Sequence, residues 1–427
     1  MILAITFVIT IAIGMPIAFA LAAAGLMHGI DMGTANLFTT LIQRMFAACN
    51  STSLMAIPLF ILAGELMGVG GVTERLCDWI RTLIGHVRGG MAYVTVVVGA
   101  FLGALLGSAN ASAALLGRVM KPELDKDNYS PVFSTCLCAA TSILGPIIPP
   151  STMFIVYGVQ ASCSVGNMFI AGIIPGILMA LAFVGIVFAD SRKDGEKWTV
   201  RVRSSFSTSL RMFWRAFPAL LVPVVIMGGI LGGICTPTES AALASLLAAI
   251  EGMFLFRKMR LKDIPEILKN TAVMSAAIMV IVAMANIMAY TMSLQQLPQM
   301  IANFLISLTS SKVLLLLLIN IFLLIVGCVM ESFAAIIILV PVLLPVAESL
   351  GLTAVHFGMI MCINLIIGLI TPPVGVALFT TCLATKTPIE KVIGPIWKWV
   401  GAAFVVLMLV TYVPAISDWL PKVLAAS

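Results

Sequence analysis

The chain reads as long apolar runs separated by short polar connectors, and the runs are far longer than strands. Nine of them predict full membrane crossings, at about 2–26, 53–70, 130–160, 168–189, 218–234, 238–256, 270–292, 355–384 and 400–416. Two more, 91–120 and 312–350, carry small or polar residues near their middles and are apolar on both sides. They read as re-entrant hairpins, each entering and leaving on one side, since irregular backbone at membrane depth is tolerated where protein covers it. Around 35–48, 72–86, 262–270 and 295–311 the pattern is amphipathic, which predicts interfacial helices bracing a fixed scaffold.

Composition agrees. Of 427 residues, 61% are hydrophobic and 10% charged, with a mean hydropathy of +1.14. That leaves too little polar surface to cover a soluble domain, and the runs do not alternate as outer-membrane barrel strands do. The longest clearly polar stretch is Asp190 to about Arg215, and the first segment, lacking a basic start and a cleavage signature, reads as a retained span. The partner of such a surface is the lipid bilayer, and no nucleic acid is expected. Nine scattered cysteines without a CxxC read as small buried thiols. His28, His86 and His356 share no motif, so nothing supports zinc or histidine chemistry, and no organic cofactor is expected.

Lys and Arg orient the spans, because they collect on the cytoplasmic side. With the N-terminus inside, segments 71–90, 118–127, 190–217, 257–269 and 385–398 put 21 of the chain's 24 basic residues on one predicted face. Only Arg44, Lys312 and Lys422 fall on the other. Counting either hairpin as a full crossing would invert everything after it and abolish the bias. The N-terminus is therefore expected in the cytoplasm and the C-terminus in the periplasm.

The same order of elements occurs twice. Residues 1–189 hold two crossings, an amphipathic stretch, the first hairpin, a broken helix and a further span; residues 238–427 repeat that order, and the basic loop and span 190–237 join the two. The first unit starts inside and the second outside. The expected fold class is an all-α polytopic membrane protein with an inverted-topology repeat, two re-entrant hairpins and two broken helices, as in secondary transporters.

The breaks are marked by a pattern found twice, Gly145-Pro-Ile-Ile-Pro-Pro150 and Gly368-Leu-Ile-Thr-Pro-Pro373. Proline removes a donor and clashes with the preceding turn, and glycine leaves the backbone bare. The hairpin tips, Gly107-Ser-Ala-Asn-Ala-Ser112 and Gly327-Cys-Val-Met-Glu-Ser332, begin 38 and 41 residues before their breaks, so each tip is expected to meet its own break near the midplane. A helix that stops there exposes carbonyls at one stump and N–H groups at the other. Carbonyls suit a small hard cation; N–H groups at the positive end of the dipole suit a carboxylate. Two pseudo-symmetric cation sites are expected: Ser108 and Asn110 with carbonyls around Gly145 and Ile148, and carbonyls around Gly327 and Met330 with Gly368 and Thr371. No Lys or Arg lies at predicted midplane depth, so an organic anion would be held by helix N-termini and Asn110, Ser112, Ser151, Thr152 and Ser332. Pro and Gly also kink ordinary membrane helices; two breaks in matching register, each with a polar hairpin upstream, favour a site.

Glu331 is the one charge at a predicted tip, where an acid costs about 2.5–3.5 kcal/mol; it is either a coupling group or a cap before Ser332. Glu65 either bonds a neighbouring helix, the more ordinary role, or moves a proton. Thr236-Pro-Thr-Glu239 reads as a capping box opening a helix. Trp198, Trp214, Trp397, Trp399 and Trp419 fall near predicted interfaces and read as membrane anchors.

Taken together, Ile57-Pro-Leu-Phe-Ile-Leu-Ala-Gly-Glu-Leu-Met67, the first tip, Gly145–Ser151, Thr236-Pro-Thr-Glu-Ser-Ala-Ala242 and Ile370-Thr-Pro-Pro-Val-Gly375 resemble the large membrane subunit of the TRAP (tripartite ATP-independent periplasmic) transporters over essentially the whole chain. The resemblance implies uptake of an organic anion driven by sodium, so that the two cation sites would hold Na+. It implies an elevator, in which hairpins and broken helices carry substrate past the scaffold. It implies two partners, a small four-helix membrane subunit and a periplasmic substrate-binding protein, and a place in the bacterial inner membrane. Within the family the chain looks most like the sialic-acid branch, although nothing at the tips separates a sialate from a C4-dicarboxylate or another sugar acid. Asn110 and Ser112 depart from the family's Ser-rich first tip, so the first cation site carries over only in outline. The competing readings are a stand-alone carboxylate symporter or antiporter of the same build, an intramembrane enzyme, for which GxSxG, HExxH and paired carboxylates are all missing, and a channel, against which hairpins closed from opposite sides argue.

Overall fold

The computed structural model describes residues 2–31, 37–193, 198–308 and 311–425, and every regular element among them is a helix. Positions 35–36 of the first amphipathic stretch, 194–197 of the basic loop and 309–310 of the last stretch lie outside the described residues. The chain begins with α1 (Ile2–Ala12), α2 (Ile17–Asp31), α3 (Leu37–Cys49), α4 (Ala56–Gly70) and α5 (Val72–Ile84). The first hairpin is α6 (Gly90–Leu106) and α7 (Ala109–Lys126), the first broken helix α8 (Pro131–Ser142) and α9 (Thr152–Gln160), followed by α10 (Val165–Lys193). After the linking helix α11 (Phe206–Leu231) come α12 (Pro237–Ile250, continued by a π-turn over Glu251–Leu255), α13 (Ile264–Leu294, entered by a 3-10 turn over Leu261–Asp263) and α14 (Leu297–Leu308). The second hairpin is α15 (Lys312–Val329) and α16 (Ser332–Ser349), the second broken helix α17 (Ala354–Gly368) and α18 (Val376–Thr385), followed by α19 (Ile389–Tyr412) and α20 (Ala415–Ala425). Among the described residues, seven helices are long and apolar enough to cross a membrane singly, α13 and α10 the longest of them.

Four local expectations are corrected. The run 2–26 is two helices, not one span. Gly14, at φ +87°, ends α1 in a Schellman turn, with Met15 N donating to Thr10 O at 3.0 Å and Gly14 N to Ile11 O at 2.9 Å, and Pro16 blocks continuation. The stretch 262–270 is no separate interfacial helix; Pro265 sits in the first turn of α13 and nothing breaks the helix after it. Helix α11 starts at Phe206, well inside the region expected to be loop. Trp198 and Trp399 are buried rather than anchored at an interface: Trp198 stacks on Tyr129 at 4.4 Å between centroids, and Trp399 lies against Phe133 and Phe183. Trp214, Trp397 and Trp419 are exposed, as anchors would be.

Ion pairs gather the five basic segments at one end of the molecule. Arg81 and Arg201 both reach Glu123, at 3.2 and 3.1 Å, Arg201 also holds Asp127 at 2.8 Å, Lys258 pairs with Glu74 at 2.9 Å, and Lys398 pairs with Asp190. Lys312 instead lines a pocket with Thr353, Tyr412 and Asp418, and Lys422 pairs with Asp418 at 3.6 Å. Helix α19 links these regions, with Lys398 and Tyr412 about 21 Å apart at helical rise.

Each hairpin has both feet at one end. Gly89, just before α6, packs on Ser191 and Trp198, while Asp127, just after α7, is held by Arg201. At the opposite end, Tyr412 Oη donates to Val313 O at 2.9 Å, and Gly351–Thr353 line the Lys312 pocket. The halves interlock: α7 packs on α8 and on α18 of the other half, and α16 packs on α17 and on α9.

Candidate functional site

Both Gly-Pro-Pro patterns interrupt their helices. Helix α8 ends at Ser142 and α9 restarts at Thr152; α17 ends at Gly368 and α18 restarts at Val376; the Pro149–Pro150 and Pro372–Pro373 peptide bonds are both cis. Ser151 is the N-cap of α9, its Oγ accepting from Phe154 N at 3.4 Å and donating to Pro146 O at 2.6 Å, so one hydroxyl bridges the gap. At the second break Gly375, at φ +49°, turns the chain into α18 without a side-chain cap, and Ala377 N reaches back to Leu369 O at 2.9 Å. Among the described residues nothing donates to the carbonyls of Gly145, Ile147 and Ile148 or to those of Gly327, Cys328 and Met330, the kind of bare acceptor that the stump argument requires.

The first tip meets the far side of its break. Thr152 Oγ1 donates to Gly107 O at 2.8 Å, and Gly107 takes φ +60° in the turn that places Ser108 as N-cap of α7. Ser108 Oγ accepts from Ala111 N at 3.5 Å. Asn110 and Ser112 lie in the first turn of α7, and Asn110 Oδ1 and Ser112 Oγ are buried without a partner. No hydrogen bond joins Ser108 or Asn110 to Gly145 or Ile148, and the Ile148 side chain packs beneath Gly176 of α10. The first cation set is therefore not joined by hydrogen bonds in this arrangement, and the residue that reaches the tip is Thr152, expected among those that hold the anion.

The second tip meets the near side of its break. Gly327 lies in the last turn of α15 with its backbone against Leu365 and Gly368: a Cβ on Gly327 would sit 2.9 Å from Leu365 Cα, and one on Gly368 would overlap the Gly327 backbone. Met330 is extended, between the helices. Thr371 Oγ1 donates back to Ile367 O at 2.8 Å, and its N–H bonds Gly368 O at 3.0 Å. Glu331 is the N-cap of α16, Oε2 accepting from Ala334 N at 3.1 Å, so of its two readings capping is the one that has a contact. Ser332 Oγ is buried without a partner. The tip glycines are thus not equivalent: the N-caps are Ser108 in one hairpin and Glu331 in the other, so the second turn lies three residues further along its pattern.

Both hairpins converge with α4 and α13 on one cavity. Ser108 and Ala111 of the first hairpin, Thr152 after the first break, Phe333 of the second hairpin, Gly64 and Glu65 of α4, and Met274 and Ile278 of α13 line it. It encloses about 30 Å³, room for a water and far below the roughly 300 Å³ or more of an organic-ligand pocket. Glu65 Oε2 accepts from Asn270 Nδ2 at 3.5 Å, the neighbouring-helix bond expected of it. The capping box is present: Thr236 N donates to Glu239 Oε2 at 2.7 Å, and Glu239 N to Thr236 Oγ1 at 3.3 Å. Sequence reasoning missed Phe333, Met274 and Ile278, whose apolar type carries no signal, and the buried pair Asn320 and Asn364, where a polar residue in each of two apolar runs could have given one. No group of three or more His, Cys, Asp or Glu positioned for a metal occurs among the described residues.

The model of the family described as "Tripartite ATP-independent periplasmic transporter, DctM component" matches residues 4–416. The chain is 39% identical over 96% of its length to an isethionate TRAP transporter permease protein of Oleidesulfovibrio alaskensis, and spans 64% of that relative. It is 37% identical to a C4-dicarboxylate TRAP transporter large permease protein of Pseudomonas aeruginosa, covering 91% of this chain and 90% of the relative. To the sialic acid TRAP transporter large permease protein of Vibrio cholerae it is 34% identical, covering 96% and 95%. In three dimensions it resembles the Alcanivorax borkumensis YdaH transporter, with a TM-score of 0.66 over 90% of this chain and 89% of that one, at 16% identity, a likeness of fold alone.

Proposed function

Since the chain belongs to the family of DctM components of tripartite ATP-independent periplasmic transporters, we propose that it carries a small organic anion across the inner membrane by sodium-coupled symport. A periplasmic binding protein delivers the anion, and a small four-helix membrane subunit braces the scaffold. The hairpins and broken helices move together as an elevator within an inverted repeat, residues 1–189 against 238–427, with the basic end in the cytoplasm. The observation that carries this reading is the convergence of Ser108, Thr152 and Phe333 on Glu65 and α13, which joins both tips to the scaffold at one point.

The chemistry follows from the stumps. Carbonyls around Gly327 and Met330, with Gly368 and the Thr371 hydroxyl, form one sodium site. Ser108, Asn110, Gly145 and Ile148 form the other once the first tip shifts toward its near stump. The anion sits at the N-termini of α7, α9 and α16, among Asn110, Ser112, Ser151, Thr152 and Ser332, where helix dipoles and orphaned hydroxyls replace a cationic side chain. The relatives' names span a sulfonate, dicarboxylates and sugar acids, all of them anions that such N-termini suit; sialic acid is the first candidate and the others share its argument.

The test is uptake into proteoliposomes holding this chain and its small subunit, with and without the binding protein, under an inward sodium or potassium gradient. Labelled sialic acid, succinate, isethionate and a keto sugar acid are the probes. Uptake of one of them only with sodium and the binding protein is the expected result. Sodium-driven uptake without the binding protein would favour a stand-alone carrier, and uptake indifferent to sodium would end the coupling argument.

A further inference from the structure

We propose that Asn320 and Asn364 are positioning residues for the second cation site: joined side chain to side chain across the α15–α17 seam, they set how far apart the carbonyl stumps at Gly327 and Gly368 stand. The proposal rests on the cation reading of that break. Both residues are fully buried. Asn364 Nδ2 donates to Asn320 Oδ1, and Asn320 Nδ2 donates to Leu316 O at 2.8 Å and to Thr411 Oγ1 at 3.3 Å. Thr411 is itself fixed, donating to Leu407 O at 2.8 Å, so α19 is tied into the same knot.

The placement is what points to the site. Asn320 precedes Gly327 by two turns and Asn364 precedes Gly368 by one, so each amide shares a helix face with its glycine. Along one seam, α15 and α17 are held first by carboxamides and then by bare backbone, where Gly327 lies against Leu365 and Gly368. Neighbours on the seam such as Leu316, Ile319, Leu323 and Leu365 are apolar and buried, and burying amides among them is costly unless they are bonded. Asn364 Oδ1 has no partner, a buried acceptor one turn from the break. Ordinary polar glue between membrane helices is the bland reading. The first half argues for more: four residues before Gly145, at the place of Asn364, Thr141 packs so closely on Gly99 of α6 that a Cβ there would collide with it. Each half ties its first hairpin arm to its first half-helix at this level, one by steric fit and the other by amides.

The experiment is a sodium titration of uptake in the reconstituted complex for Asn320→Leu, Asn364→Leu, the double Leu variant and Thr371→Val. Thermal unfolding in sodium-free buffer is measured alongside. The single variants are expected to raise the half-saturating sodium about fivefold, the scale of one lost hydrogen bond, while the maximal rate at saturating sodium is retained. The double variant leaves no orphaned amide, so it should unfold near the native temperature and still need the extra sodium. A double variant with native sodium dependence would overturn the proposal. If the Leu variants do not fold, Asn364→Ser decides by the same criterion, since its shorter hydroxyl cannot span the seam. Unchanged sodium dependence in Thr371→Val would instead remove the cation site itself, and the proposal with it.

Discussion

The two hairpin tips close on their breaks by different means. In the first half the contact is a hydrogen bond from a side chain, Thr152 Oγ1 to Gly107 O at 2.8 Å, flanked by the hydroxyl caps Ser108 and Ser151. In the second it is backbone against backbone, Gly327 on Gly368, flanked by Glu331 and by Gly375, which caps with no side chain at all. A hydroxyl can release a carbonyl and take water or an ion in its place. A glycine contact has no such substitute, because any Cβ fills the space. The first contact can thus be exchanged for another and the second cannot, a difference that one shared sequence pattern conceals.

The largest expected effects test that contrast directly. Gly368→Ala puts a methyl into the Gly327 backbone, and helix α17 cannot yield without separating the stumps. Uptake should be lost and stability should fall by about 3 kcal/mol, the upper range for overpacking. Gly107→Ala meets Thr152 less tightly, its methyl at 3.1 Å and its backbone N at 3.3 Å, but must hold φ +60°, which costs about 1–2 kcal/mol. Thermal unfolding of the purified variants ranks the two, and equal damage would erase the distinction between a fixed and an adjustable tip.

Smaller effects probe the adjustable side. Asn110→Ala removes a buried, unpartnered oxygen and should raise the sodium needed for half-maximal uptake; an unchanged requirement would take Asn110 out of the site. Thr152→Val keeps the shape and removes the hydrogen bond to Gly107, a loss of about 1 kcal/mol. Its unfolding temperature should fall slightly, and sodium dependence should shift less than in Asn110→Ala, because Thr152 belongs to the anion's residues and not to the sodium set. A larger shift for Thr152→Val would move the binding role onto Thr152.

Much of this was legible in the sequence, for reasons visible at particular residues. Proline and glycine act locally, so the breaks at Gly145 and Gly368 and the capping box at Thr236 could be read directly. The Lys and Arg bias gave each hairpin both feet on one side, as Arg201 at Asp127 and Tyr412 at Val313 now place them. The offset between tips was not legible: both begin with glycine, but whether the helix stops at that glycine or a turn later depends on what the backbone packs against, Thr152 in one case and Gly368 in the other. Nor was the burial of Trp198 and Trp399, since a tryptophan near a membrane boundary reads alike whether it faces lipid or the Tyr129–Phe133–Phe183 cluster. The break inside 2–26 was written in Gly14 and Pro16 but masked by the apolar run around them.

The smallest effect concerns the feet rather than the tips. The first hairpin stands on charge, Glu123 drawing together Lys126, Arg81 and Arg201 at 2.5, 3.2 and 3.1 Å. The hydrogen bond from Lys126, aided by that from Arg201 and opposed by desolvation, holds the Glu123 carboxyl below the usual carboxylate range. A carboxyl depressed by folding stabilises the native state above its unfolded pKa, about 4.3, and that contribution disappears as pH falls through the lower folded value. The cluster is partly exposed, so Glu123→Gln should cost no more than about 1 kcal/mol at neutral pH. Unfolding curves from pH 7 down to about pH 3 should therefore show wild type and variant apart at the top and converging at the bottom. A gap that persists unchanged through acid would mean that Glu123 holds the foot of the hairpin by packing and not by charge.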